Sequence, residues 1–408
     1  MTGPLAGFRV LDMTQYVAGP LCTQMLADLG ADVVKVERPP GGDVYRRQGP
    51  EFVDGESLSF LALNRGKRSV VIDVKDAEGR AVLERLLVTS DAFVHNFRPG
   101  TVDRLGLGRD DVARIAPKTI WATMSGYGGL GPRGDDGGYD LMMQGESGLM
   151  AATGHPDRPP AKAGFAVVDI TAGVSLALGI TAALLERERS GTVRSCESSL
   201  YETSMAMGLI IAEQYLANGT VPGRSGSAST LFAPYQAFRT ADGHVTVEGT
   251  GPADAWTRFC AAIEAPGLEQ DESFVDNSAR IRNREKLVAE VEERTFRRST
   301  DYWLDRFRHH GLPCGSIQDI GQALESEQTG ALGIVVEAEH ASLGSYRTVR
   351  NPLRFSSTAT AVRGAPVLGE HTAEVLRAAG YDESAIVRLA DGGVVFRAEP
   401  AGKAGEVS

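Results

Sequence analysis

Short β-branched runs alternate with helical patterns through the first 125 residues, and this alternation limits the possible folds more than any other feature of the chain. Runs rich in valine and isoleucine predict strands at residues 8–13, 31–37, 69–74, 92–97 and 119–125. Amphipathic stretches between them predict helices, one with Pro20 in its first turn and Gly30 at its end, and one over residues 77–88. Strands that alternate with covering helices predict an open, doubly wound parallel sheet, which is a Rossmann-like α/β domain.

Ligands of such sheets bind beyond the carboxyl ends of the strands, so the loops there hold the candidate functional residues. The loop after the first strand, Thr14 to Pro20, has no Gly-x-Gly-x-x-Gly pattern, and the chain has no P-loop, which disfavours dinucleotide and nucleoside-triphosphate binding. Several cations do occur near the predicted ligand edge, namely Arg38, Lys67, Arg68, Lys75, Arg98 and Arg104. Each one alone is more often a solvated surface charge, although an anionic ligand would need some of them in this acidic protein.

The composition is that of a globular protein, with 42% hydrophobic and 23% charged residues among 408. The net charge of −11 argues against nucleic-acid and anionic-membrane partners, which select basic surfaces. The four cysteines are scattered without metal-ligand spacing, so we expect free thiols, no metal site and a reducing compartment. The first residues lack a signal-peptide pattern, and the longest apolar stretch, residues 176–185, is too short for a membrane span, so the expected location is the cytoplasm.

The chain changes character at a polar, turn-rich segment over residues 218–231, which we predict to be a linker between two domains. Beyond it, the turn pair Asp242-Gly243 within alternating apolar residues indicates a β-hairpin. The predicted division is a large α/β domain (1–217), a linker (218–231), a smaller α+β domain (232–330), a further mixed segment (331–390) and a loose tail (391–408).

Asp169 lies where an apolar run gives way to a helix predicted over residues 170–188. That helix is apolar on nearly every side and is expected to be buried, and a second long helix is predicted over residues 198–216. An aspartate at such a boundary has two interpretations, a helix N-cap or a functional carboxylate. Other nucleophiles are poorly placed, because no serine occupies a Gly-x-Ser-x-Gly elbow and Cys22 falls within an amphipathic helix.

Several ordered blocks of the chain match one enzyme family. They read AGPLCTQMLADLGADVVKVERPPGGD, NRGKRSVVIDVK, HNFRPGTVDRLGLG, GYDLMMQGESGLM, VVDITAGVSLALGITAALLERERSGT, GLPCG, NPLRF and APVLGEHTAEVL. From about residue 5 to 385 the chain thereby resembles the class III coenzyme A (CoA) transferases, which include formyl-CoA and carnitine CoA transferases and are related to α-methylacyl-CoA racemases.

The resemblance implies that Asp169, in the block VVDITAG, is the nucleophile that becomes acylated. It implies CoA contacts at Val17, Ala18, Arg38, Ile72, Lys75, Asn96, Phe97, Arg98, Arg104, Gly138 and Tyr139, and a substrate loop at Gly249, Thr250 and Gly251. It further implies no tightly bound cofactor, CoA as an acyl-CoA co-substrate and a small carboxylic acid as acceptor. Subunits of such transferases have two domains and interlock as a homodimer, with residues 331–390 returning to the large domain.

The chain departs from the family pattern at three places that bear on its reaction. Val17 stands where formyl-CoA transferases have glutamine, and their Gly-rich loop in the small domain is present only as Gly249-Thr250-Gly251-Pro252, so the case for formate and oxalate as substrates is weakened. Tyr139-Asp140 stands where the racemases have a His-Asp pair, which removes one of their two proton carriers. Two other functions stay open at this point: an acyl-CoA isomerase with Asp169 as base and Asp140 or another carboxylate as its partner, and a non-catalytic CoA-ester binding protein.

Overall fold

The computed structural model of the protein describes residues 3–49, 51–356 and 362–398. Its strands are β1 Arg9–Met13, β2 Asp32–Glu37, β3 Phe52–Val53, β4 Glu56–Ser57, β5 Arg68–Ile72, β6 Ala92–His95, β7 Ile120–Ser125, β8 Cys196–Ser199, β9 Tyr235–Arg239, β10 His244–Glu248, β11 Cys314–Ser316, β12 Val335–His340, β13 Gly344–Val349 and β14 Val395–Phe396. Its α-helices are α1 Ala18–Asp28, α2 Leu58–Asn64, α3 Ala77–Val88, α4 Thr101–Arg104, α5 Arg109–Ile115, α6 Asp140–Glu146, α7 Leu149–Ala152, α8 Val167–Ser190, α9 Leu200–Met207, α10 Leu209–Asn218, α11 Ala255–Ala262, α12 Asn277–Arg282, α13 Arg284–Thr295, α14 Thr300–His309, α15 Ile320–Glu325, α16 Glu327–Leu332, α17 Thr372–Ala378 and α18 Glu383–Asp391. Short 3-10 helices cover Val44–Arg46 and Pro266–Glu269.

The chain forms two compact units. Unit 1 comprises Met1–Ser147, Gly164–Leu209 and Ala331–Ser408, and unit 2 comprises Gly148–Ala163 and Ile210–Gly330. These bounds differ from the predicted domain boundaries, which follow turn-rich sequence rather than packing. The predicted linker, residues 218–231, lies within unit 2, where Arg224 donates hydrogen bonds to the carbonyls of His155 and Arg158.

The main sheet of unit 1 has seven strands in the order β14-β5-β2-β1-β6-β7-β8. Every neighbouring pair is parallel except β14 with β5. The large, mainly parallel sheet that the sequence predicts is therefore confirmed. The chain extends the sheet in one direction from β1 through β2 and β5, and in the other through β6, β7 and β8, so the order reverses between β1 and β6.

Two edge strands were not expected from the sequence. The last two residues of β8, Ser198 and Ser199, are ones that we assigned to the start of a long helix, and the rest of that helix is divided into α9 and α10 on either side of Gly208. β14 lies in the segment predicted to be a loose tail, and Val395 is buried there against β5. Both strands are short and neither has the apolar alternation that indicates a strand, so only pairing with the sheet fixes them. The rest of that tail, residues 399–408, lies outside the described residues.

Helix α8 runs through unit 1 and packs closely on α1. A side chain at Gly173 would lie 2.7 Å from the carbonyl oxygen of Ala18, so the close approach of the two helices requires glycine there. The expectation that this helix is buried holds for only part of its surface, because Ala172, Leu176 and Ile180 are buried whereas Leu178 is 71% exposed and Leu185 51%. By length and composition alone α8 could also cross a membrane, contrary to our expectation from residues 176–185. Core helices of soluble proteins meet that criterion too, so it is a weak indication.

Unit 2 contains a three-stranded antiparallel sheet in the order β11-β10-β9. The predicted hairpin is confirmed, since β9 and β10 pair in antiparallel register and the Thr240 amide donates to the carbonyl of Gly243 across the turn. Its helices cover an aromatic core that includes Phe238, Phe259, Phe274, Trp303 and Phe307. This unit is thus α+β, with its own hydrophobic core.

Candidate active site

A cavity of about 320 Å³ opens beyond the carboxyl ends of β1, β6 and β7, where the strand order reverses. Loops after all three strands, together with the first turn of α8, form its walls. The lining residues are Gln15, Tyr16, Val17, Ala18, Asn96, Phe97, Arg98, Pro99, Thr101, Met124, Ser125, Gly126, Asp136, Gly137, Gly138, Tyr139, Asp169 and Leu200. The cavity lies entirely within unit 1.

Asn96 joins the two loops that flank the point of strand reversal. Its side-chain oxygen accepts a hydrogen bond from the Gln15 amide at 2.8 Å, and its side-chain nitrogen donates to the Gln15 carbonyl at 2.7 Å. Tyr16, which follows Gln15 in the chain, has a φ of 68°. This left-handed conformation costs about 1 kcal/mol or more for a residue other than glycine. The loop after β1 is therefore held in a conformation that its own sequence does not favour.

Buried ion pairs support this loop from below. Lys35 Nζ lies 2.9 Å from Asp43 and donates to the carbonyl of Thr14 at 2.7 Å. Lys67 Nζ lies 3.0 Å from Asp12 and also donates to the carbonyl of Pro20. Burial by itself would raise the pKa of Asp12, but the charges of Lys67 and Lys35, together with hydrogen bonds from Thr14 and Thr23, outweigh it and lower that pKa to about 2. Burial lowers the pKa of Lys67 to about 8, although Asp12 opposes the shift.

These contacts show that two of the cations predicted at the ligand edge, Lys67 and Arg68, are paired elsewhere. Lys67 is fully enclosed in its ion pair, and Arg68 is paired with Asp32 on the neighbouring strand. Both residues precede or begin β5 rather than follow it. Neither is a cation that is available to an anionic ligand, and the sequence could not reveal this because the partners lie more than 30 positions away.

Asp169 is the third residue of α8 and lies in its first turn. The interpretation of Asp169 as the helix N-cap is wrong, because the N-cap position is Ala166 and the amides of the first turn donate instead to Asp140. Among residues 3–49, 51–356 and 362–398, no hydrogen bond or ion pair engages the Asp169 carboxylate. Burial, and then the charge of Asp140, raises its pKa from the ordinary 3.8 to about 7.

Asp140, the first residue of α6, caps the N-terminus of α8 with its side chain. Its Oδ1 accepts hydrogen bonds from the amides of Val168 at 2.9 Å and Asp169 at 3.4 Å. Its Oδ2 accepts from the side-chain amide of Gln144 at 2.5 Å. Both carboxylate oxygens of Asp140 are thus engaged, whereas Asp169 lines the cavity with a carboxylate that no described residue engages and whose pKa is well above the ordinary value.

Three tyrosines lie around this carboxylate, and only Tyr139 was expected from the sequence. The ring of Tyr16 packs edge-on against Tyr45 and Tyr139, with centroid distances of 5.7 and 5.6 Å. The Tyr139 side chain, and then burial, raise the pKa of Tyr16. Burial, and then the charge of Asp169, raises the pKa of Tyr45. Sequence reasoning missed Tyr16 and Tyr45 because neither stands in a catalytic spacing pattern.

Eight of the predicted site residues come together in the cavity lining, namely Val17, Ala18, Asn96, Phe97, Arg98, Gly138, Tyr139 and Asp169. A side chain at Gly138 would lie 2.4 Å from the Met143 methyl group and 3.0 Å from the Gly126 backbone, so the Met143 side chain would have to shift to accommodate it. The role of each residue remains a prediction.

The other predicted CoA contacts in unit 1 are outside this lining. Arg38, Lys75 and Arg104 are exposed. Arg38 lies near enough to Tyr16 to oppose the rise in the pKa of that phenol, and Arg104 donates to the hydroxyl of Thr101 on the cavity wall. Ile72 is 1% exposed in the core beside β14, so its side chain cannot contact a ligand.

The predicted substrate loop follows β10 in unit 2. The Gly249 amide donates to the carbonyl of Pro234, and a side chain at Gly249 would lie 2.9 Å from the Pro234 ring. The hydroxyl of Thr250 donates to Glu248 at 3.4 Å, whereas a side chain at Gly251 would meet only Glu248 Oε1, at 3.7 Å. The local packing explains the first glycine, and the assignment of this turn to substrate binding stays a prediction.

The chain is similar to known proteins over nearly its whole length. The family model described as CoA-transferase family III matches residues 5–372. The chain belongs to CoA-transferase family III. A succinyl-CoA:glutarate CoA-transferase from Mus musculus is 36% identical to this family III CoA-transferase over 398 residues, which are 97% of this chain and 91% of the relative. A formyl-CoA:oxalate CoA-transferase from Rhodopseudomonas palustris (strain BisA53) is 33% identical over 418 residues, 97% of this chain and 98% of the relative.

The fold of this family III CoA-transferase matches a solved structure. The crystal structure of a CAIB/BAIF family protein from Brucella suis superimposes with a TM-score of 0.82 at 35% identity, covering 93% of this chain and 100% of that one. The family resemblance and the α/β fold inferred from the sequence are therefore confirmed, and the protein is an enzyme. Transferases of this family use CoA thioesters as co-substrates.

Proposed function

We propose that this CoA-transferase moves CoA from an acyl-CoA donor to a carboxylic acid with Asp169 as a covalent acyl carrier. The observation that carries the proposal is a carboxylate in the cavity wall that accepts no hydrogen bond from the described residues and has a pKa of about 7. A carboxylate without such donors, next to another negative charge, is more basic than usual and therefore a stronger nucleophile once ionised.

The reaction begins when an Asp169 oxygen attacks the thioester carbonyl. A C–O bond forms, the C–S bond breaks, and CoA leaves as a thiolate, which is a reasonable leaving group because a thiol pKa is about 8.5. The thiolate then attacks the Asp169 carbonyl of the mixed anhydride, so that the donor acid departs and an aspartyl-CoA thioester remains. The acceptor carboxylate opens this thioester, and the thiolate returns to the acceptor's acyl carbon, which regenerates the Asp169 carboxylate.

Exposed cations that follow the carboxyl ends of the strands support the proposal that CoA binds at this edge of the sheet. Arg98 lines the cavity, Arg38 and Lys75 are exposed on the loops that follow β2 and β5, and Arg104 is exposed at the end of α4, which follows β6. Guanidinium and ammonium groups bind phosphates through charge-assisted hydrogen bonds. We infer that these residues hold the phosphates of CoA and so keep the thioester oriented at Asp169.

Short dicarboxylic acids are the first acceptors to test, because the relatives in the comparisons are named for glutarate and oxalate. The purified enzyme is incubated with succinyl-CoA and, separately, glutarate, oxalate, formate and a monocarboxylate such as butyrate, and new CoA esters are measured by mass. At least one acid is expected to yield its CoA ester in amounts equal to the succinate released. Hydrolysis of succinyl-CoA without any new ester from a broad acid panel would contradict transfer.

An isomerase that uses Asp169 and Asp140 as two proton carriers is the competing function. Against it, both Asp140 oxygens accept hydrogen bonds from Val168, Asp169 and Gln144, so Asp140 is committed to structure. In heavy water without an acceptor acid, an isomerase would introduce deuterium at the α-carbon of an acyl-CoA, whereas the transferase is expected to leave that carbon unlabelled.

We propose a cytoplasmic location for the enzyme.

We also infer that the enzyme is a homodimer. Ile170, Val174, Leu178 and Leu185 form an exposed apolar stripe along α8, which a second subunit can cover. Light scattering is expected to give a mass of two chains for the wild type and of one chain for Leu178→Glu. A wild-type mass of one chain at micromolar concentration would contradict the dimer.

A further inference from the structure

The first turn of α8 has an unusual arrangement of hydrogen bonds. Helices begin with amide groups that have no partner within the helix, and the N-cap residue Ala166 has no side chain to accept from them. The amides of Val168 and Asp169 instead donate to Asp140 Oδ1, and the amide of Ile170 donates within the helix to Ala166. The helix start is therefore satisfied without the Asp169 side chain.

Asp140 is itself fixed in place. It is the first residue of α6, and its second oxygen accepts from Gln144 one turn along the same helix. Gln144 is fully buried. The capping carboxylate thus comes from a different helix and is anchored there, so its position relative to the start of α8 does not depend on flexible loop residues.

We propose that Asp140 is a positioning residue for CoA transfer, because it caps α8 from α6 and so leaves the Asp169 carboxylate to face the cavity. The inference rests on the proposed function of Asp169. An aspartate in the first turn of a helix commonly accepts hydrogen bonds from the free amides there, which stabilises the ionised carboxylate and makes it a weaker nucleophile. Because Asp140 accepts hydrogen bonds from those amides, the lone pairs of the Asp169 carboxylate stay free to attack the thioester carbonyl.

The negative charge of Asp140 adds to this effect. Acylation converts the Asp169 carboxylate into an uncharged anhydride, so the repulsion between the two side chains is present before the attack and relieved by it. The charged or titratable groups that face Asp169 in and around the cavity are Tyr16, Tyr45, Arg98, Asp136, Tyr139 and Asp140. Of these groups, Asp140 accepts a hydrogen bond from the amide of Asp169, and its negative charge repels that of the Asp169 carboxylate.

Two substitutions separate the cap from the charge. Asp140→Asn keeps an oxygen that can accept from Val168 and Asp169 but removes the negative charge, so kcat is expected to fall by about 3- to 10-fold and the acid limb of the kcat profile to move to lower pH. Asp140→Ala removes both, so Asp169 can turn to the vacated amides, and kcat is expected to fall by about 100-fold or more. KM for the acyl-CoA is expected to change less than about threefold in either variant, because Asp140 holds no part of CoA.

Glu188→Gln is the matched control, since it removes a charge from the far end of the same helix, where Glu188 is paired with Arg187. Its pH profile is expected to match the wild type. The proposal is overturned if Asp140→Ala retains kcat within threefold of the wild type, or if Asp140→Asn is as slow as Asp140→Ala. If Asp140→Ala does not fold, as judged by thermal unfolding, an unmoved acid limb in Asp140→Asn overturns it. Absence of transfer by the wild type would instead contradict the function of Asp169.

Discussion

Asp169→Asn is expected to abolish CoA transfer, with a loss of at least about 1000-fold in kcat, while the protein stays folded and binds CoA. The neutral amide has nearly the same shape as the carboxylate but cannot form the anhydride, so the covalent route is closed. Transfer is measured with succinyl-CoA and the best acceptor acid, and CoA binding by calorimetry. Glu188→Gln serves again as the control with an intact nucleophile.

The same variant is expected to be more stable than the wild type, and increasingly so at higher pH. The folded protein keeps the Asp169 proton up to about pH 7, whereas the unfolded chain releases it near 3.8, so the wild type loses stability as the pH rises between these values. Asparagine does not ionise, so the variant does not lose stability in this way as the pH rises. The gain in free energy of unfolding is expected to be roughly 2–3 kcal/mol larger at pH 8 than at pH 5. A gain that is the same at both pH values would mean that Asp169 has an ordinary pKa.

Lys67→Met is expected to lower the free energy of unfolding by about 3–5 kcal/mol. The substitution leaves the carboxylate of Asp12 fully buried without the ammonium group that lies 3.0 Å away. It also removes the hydrogen bonds from Lys67 to Asn64 and to the carbonyl of Pro20 in α1. Urea unfolding followed by circular dichroism measures the change.

A double variant and a surface control test the physical reason. Adding Asp12→Leu to Lys67→Met removes both buried charges and is expected to recover at least about 1 kcal/mol of the loss. Lys286→Met breaks the exposed pair with Asp271 and is expected to cost less than about 1 kcal/mol. Equal losses for Lys67→Met and Lys286→Met would contradict the assignment of Lys67 to a buried ion pair.

The sequence predicts elements well where local patterns are strong. Helix α3 has the predicted bounds, and Val82, Leu83, Leu86 and Leu87 are all buried, because their spacing follows the helical repeat. Gly30 closes α1 with a φ of 101°, as its position after the apolar periodicity indicates. By contrast, β8 and β14 are strands only because the sheet pairs with them, and no local pattern indicates such pairing.

The sequence likewise predicts only part of the candidate site. The motif around Asp169 is visible in the sequence, but its environment depends on Asp140, which lies 29 positions earlier and caps a helix that it does not belong to. Ile72 and Lys67 stand at positions that suggest ligand contact, yet both are enclosed by neighbours that the fold brings from elsewhere. Linear spacing cannot show which polar groups a distant residue has already satisfied.

Mass analysis of the Asp169 peptide tests the central claim most directly. The enzyme is mixed with an acyl-CoA in the absence of an acceptor, quenched in acid within seconds, digested and analysed. We expect a peptide containing Asp169 that carries CoA through a thioester, which disappears when the acceptor acid is added before quenching and is absent from Asp169→Asn. Transfer at the normal rate with no adduct on this peptide, or with an adduct on another residue, would contradict the account.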